Sequence, residues 1–86
     1  VGPATPAAAE LVQRAAGVIA AKRRGDLPGA EELLSAFPSE QARTLGFYLL
    51  ADLALGLLGA HSGQPIDDLV RELSLLVADN AHPPVA

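Results

Sequence analysis

Tyr48 and Asp52 stand four residues apart in a stretch that is otherwise apolar, so on a helix the phenol lies beside the carboxylate and can donate to it. Such a pair serves as a water-facing edge, as the polar part of a protein interface, or as a corner of a small-molecule pocket. His61 and Ser62, with Asp52 or Asp67, supply the residue types of a hydrolytic triad. No strained nucleophile turn or oxyanion loop accompanies them, and Ser62 falls in a connection between helices, so no catalytic residue is assigned and no enzyme is expected. His61 and His82 lie far apart, and no histidine and carboxylate fall at ligand spacing on one helix face. Neither a metal nor a cofactor is expected.

Lys22, Arg23 and Arg24, followed by Gly25, suggest phosphate contacts at first sight. Cations in a last turn and a glycine just after it are what a helix C-terminus requires for its own termination. The run is read as a stop signal. The net charge of −4 also disfavours nonspecific attraction to nucleic acid or to an anionic membrane, so neither partner is expected.

Composition narrows the architecture. Half of the 86 residues are hydrophobic but only 3% are aromatic, so a core must be built from Leu, Ala, Val and Ile. Leu and Ala favour helices, and strand-favouring residues are sparse, which makes the chain all-α. Cysteine is absent, which excludes a disulfide framework, a zinc knuckle and a thiol nucleophile together. A basic segment followed by an apolar one is not seen near Val1, so the expected location is the cytoplasm. The lack of methionine suggests trimming in front of Val1, and scarce lysine with abundant Ala, Leu and Gly is associated with GC-rich bacterial genomes.

The elements follow from punctuation. Residues 1–5 read as a disordered lead, then Thr5 caps and Pro6 opens a helix to about residue 24, with Leu11, Ala15, Val18, Ile19 and Lys22 along its apolar side. Gly17 within it points to close approach of another backbone. A short helix over about 28–37 carries Leu27, Ala30, Leu33, Leu34 and Phe37. The stretch GDLPGAEELL resembles the start of a second helix in a tetratricopeptide-type hairpin, although no repeat at a fixed period occurs along the chain. Ser39 caps a third helix over about 39–60, and Pro65 starts a fourth over about 65–79 with Ile66, Leu69, Val70, Leu73, Leu76 and Val77 on one face. Asn80 is expected to end it in a left-handed conformation, and residues 81–86 read as a flexible tail.

The expected fold is a small four-helix bundle-like domain over residues 6–80, packed around the central apolar third helix. At 100° per residue, Phe47, Leu50, Ala54, Leu57 and Leu58 form that helix's core side. A mixed side carries Leu45, Tyr48, Asp52, Leu55, Gly56 and Gly59, and these six are the candidate interface of a homodimer. A membrane span is disfavoured, because the apolar run falls short of about 20 residues and has Asp52 at its middle. The expected function is a small protein-interaction or assembly module. The alternatives are a transcription-related DNA-binding protein, with Phe37–Pro38–Ser39 as the turn of a helix-turn-helix, and a small-molecule-binding helical domain.

Overall fold

The first helix ends where a glycine is placed to end it. The NH of Gly25 donates to the carbonyl of Lys22 at 3.1 Å and that of Asp26 to the carbonyl of Ala21 at 2.9 Å, with Gly25 at φ +80°, a left-handed stop that closes the last turn. The computed structural model describes residues 6–81, and the expected lead 1–5 and residues 82–86 of the expected tail lie outside the described residues. The chain is all-α, with helices α1 (Pro6–Arg23), α2 (Leu27–Ser35), α3 (Glu40–Ser62) and α4 (Ile66–Ala81). It divides into two compact units, Val1–Asp52 and Leu53–Ala86, with α3 contributing to both.

In the first unit α1 and α2 pack as a pair. Asp26 turns the chain between them, its Oδ1 accepting from the NH of Gly29 at 2.9 Å as the N-cap of α2. The core is Ala15, Val18, Ala21, Ala30 and Phe37, with Leu11, Leu33, Leu34, Phe47 and Leu50 packed against it. Three of those five central residues are alanines, so the helix backbones come close instead of being held apart by long side chains. At Gly17 the Leu33 Cδ1 would lie 3.1 Å from an added β-carbon, so the neighbour there is a side chain of α2 and not the backbone expected.

The buried side of α1 is turned relative to the sequence reading. Ala21 is fully buried, whereas Ile19 and Lys22 are exposed, because α2 packs on the Gly17 and Ala21 side of the helix. Phe37 lies beyond α2 and not within it. Pro38 disfavours helical backbone at the residue before it, so the last turn tightens through Ala36 NH to Leu33 carbonyl at 3.1 Å and Phe37 leaves the helix to enter the core. There its ring meets Phe47 at 6.0 Å between centroids, and the Arg14 guanidinium lies 5.6 Å from its centre.

Ser39 caps α3, its hydroxyl accepting from the NH of Ala42 at 3.0 Å. In the second unit α3 runs on to Ser62, and Gly63 at φ +76° turns the chain with its NH donating to the Gly59 carbonyl at 2.8 Å. Asp67 and Asp68 occupy the first turn of α4, favourable to the positive end of its dipole. Arg71 pairs with Asp68 at 4.0 Å. Asn80 remains helical, and no non-glycine residue among those described has positive φ, which corrects the expected left-handed stop there.

Candidate functional site

The cleanest amphipathic pattern in the chain is also the least covered. Along α4, Leu69 is 4% exposed, while Ile66, Val70, Leu73, Leu76 and Val77 on the same stripe remain open, Leu73 at 45% and Val77 at 66%. Their three- and four-residue spacing makes a face as wide as bundle helices use for a core, with Glu72 and Asp79 flanking one edge and Asp67 the other. Covering such a stripe would remove leucine and valine from water, with acidic side chains left at its margins.

The second half of α3 adds to this apolar surface. Leu57 and Leu58, expected on the core side with Phe47 and Leu50, are 63% and 48% exposed, and Leu53 is open as well. Phe47 and Leu50 do pack against the first unit's core. The division occurs because the apolar side is longer than the elements that cover it: α1 and α2 supply the core against Phe47 and Leu50, while α4 meets α3 through Gly59 and Leu69.

The six candidate interface residues have separate surroundings. Leu45, Tyr48 and Asp52 are exposed, Leu55 is half-buried, and around Gly56 an added β-carbon would meet nothing within 4 Å. At Gly59 that carbon would lie 3.1 Å from the Gln64 carbonyl oxygen and 3.6 Å from Leu69 Cδ1, so this glycine serves the chain's own turn. No hydrogen bond joins Tyr48 to Asp52 among the described residues.

A concavity of about 450 Å³ runs along Glu40, Gln41, Thr44, Leu45 and Tyr48. These lining residues all belong to α3, and Asp52 is not among them. Lined by one helix, this trough is open, short of the about 70–90% enclosure a small ligand ordinarily has.

The remaining polar residues serve local structure. Ser62 Oγ accepts from the Gln64 NH at 3.3 Å, and the Gln64 side-chain amide donates to Glu72 Oε2 at 3.2 Å, linking the turn to α4. His61 makes no hydrogen bond to Ser62, Asp52 or Asp67 among the described residues, and His82 lies outside them. The described residues contain no cluster of three or more His, Cys, Asp or Glu placed to hold a metal. Arg24 pairs with Asp26 at 3.6 Å, so part of the basic run is engaged at the turn it ends.

By length and composition α3 also qualifies as a membrane-crossing helix, with a mean hydropathy of 1.4 over its most apolar stretch. Only 6% of that stretch is buried, which corrects the expectation of a helix enclosed at the centre of a core. No known family model, curated protein or solved structure matches this chain.

Two features escaped the sequence reading. Gly46 is buried against α1, and the helix-interior cost of glycine, about 1 kcal/mol relative to alanine, was the signal that a close contact required it. The stripe of α4 was legible as apolar. Its lack of cover was not, because periodicity shows which side of a helix needs burial and not what provides it.

Proposed function

We propose that this chain is a small helical protein-interaction module whose task is assembly, with self-association as its foremost form. The observation that carries this reading is the α4 stripe of Ile66, Val70, Leu73, Leu76 and Val77, open in a helix whose one buried residue is Leu69. Exposed rows of this kind are characteristic of helices that complete their packing with a partner. Leu45, Tyr48 and the trough beside them offer a second contact area, with Asp52 and Gly56 farther along the same helix.

The test is site-specific photo-crosslinking in living cells. A photoreactive residue in place of Leu73 gives covalent protein adducts, and one in place of Arg71, on the other side of α4, gives few. Equal labelling from both positions, or none from either, overturns the reading.

The DNA-binding alternative receives little support. On α3, which would be the recognition helix, Glu40, Gln41, Thr44, Leu45 and Tyr48 border the trough, and Arg43 is paired with Glu40 at 3.7 Å.

One observation favours a second reading, a membrane-associated helix: the apolar stretch of Glu40–Ser62 is largely uncovered. Against it stands Asp52, whose insertion at mid-span costs about 2.5–3.5 kcal/mol. Flotation with lipid vesicles separates the two readings, since an interaction module stays in the aqueous fraction and a membrane helix rises with the lipid.

A further inference from the structure

We draw no further inference here: the strongest candidate, the open leucine row of Leu53, Leu57 and Leu58 on the second half of α3, is an unpartnered apolar face, and nothing in the structure shows what covers it.

Discussion

Gly46 and Leu11 bring α3 and α1 together at backbone distance: a β-carbon on Gly46 would lie 2.8 Å from the Leu11 carbonyl oxygen and 3.1 Å from the Phe37 ring. The obstacle on one side is main chain, which cannot swing aside as a side-chain tip does. Gly46→Ala is therefore expected to lower unfolding stability by about 1–3 kcal/mol despite alanine's better helix propensity. Urea denaturation monitored by circular dichroism measures the loss, and an unchanged or raised midpoint contradicts the close approach.

Gly56 presents the opposite case on the same helix. With nothing within 4 Å of an added β-carbon, Gly56→Ala gains the helix-propensity difference, up to about 1 kcal/mol, with no steric cost in the single chain. Thermal unfolding should shift upward, and an unchanged or lowered midpoint contradicts the open surroundings of Gly56.

The Asp26 cap gives a third expectation. Its carboxylate oxygen accepts from the Gly29 NH at 2.9 Å, so Asp26→Ala removes an N-cap and costs about 1 kcal/mol, while Asp26→Asn retains most of the stability. Comparison of the two in urea separates the cap from the 3.6 Å ion pair with Arg24, which the asparagine also loses.

Leu69 and Leu75 form a matched pair on α4, one enclosed and one open. Leu69→Ala should cost about 2–5 kcal/mol by cavity formation, and Leu75→Ala should stay within about 0.5 kcal/mol. Amide hydrogen exchange along α4 reports the difference, with faster exchange in L69A and little change in L75A. Equal effects would mean that Leu69 is not the anchor of the second unit.

Local signals proved more legible than packing. Gly25, Ser39 and Pro65 marked helix ends correctly because capping and φ restriction act within a few residues. Phe37 was recognised as apolar but assigned to a helix, since the turn that frees it depends on Pro38 and on the space beside Phe47. The rotation of α1 was beyond periodicity alone: Leu11, Val12, Ala15, Ala16, Val18 and Ile19 form a broad arc, and the position of α2 decides which part of it is buried. For the candidate surface, the sequence revealed the spare apolar side of α3 and the stripe of α4. Their exposure depends on tertiary cover, which leaves no mark in the spacing of residues.

The pairing of α1 with α2 across the turn at Gly25 and Asp26 also favours that contact as the first to close when the chain folds. Contacts between helices joined by so short a turn close small loops, and helical pairs of this kind assemble in microseconds to milliseconds. Phe37, Phe47 and Leu50 then pack onto a hairpin already closed, so the first unit's core builds outward from its most local contact.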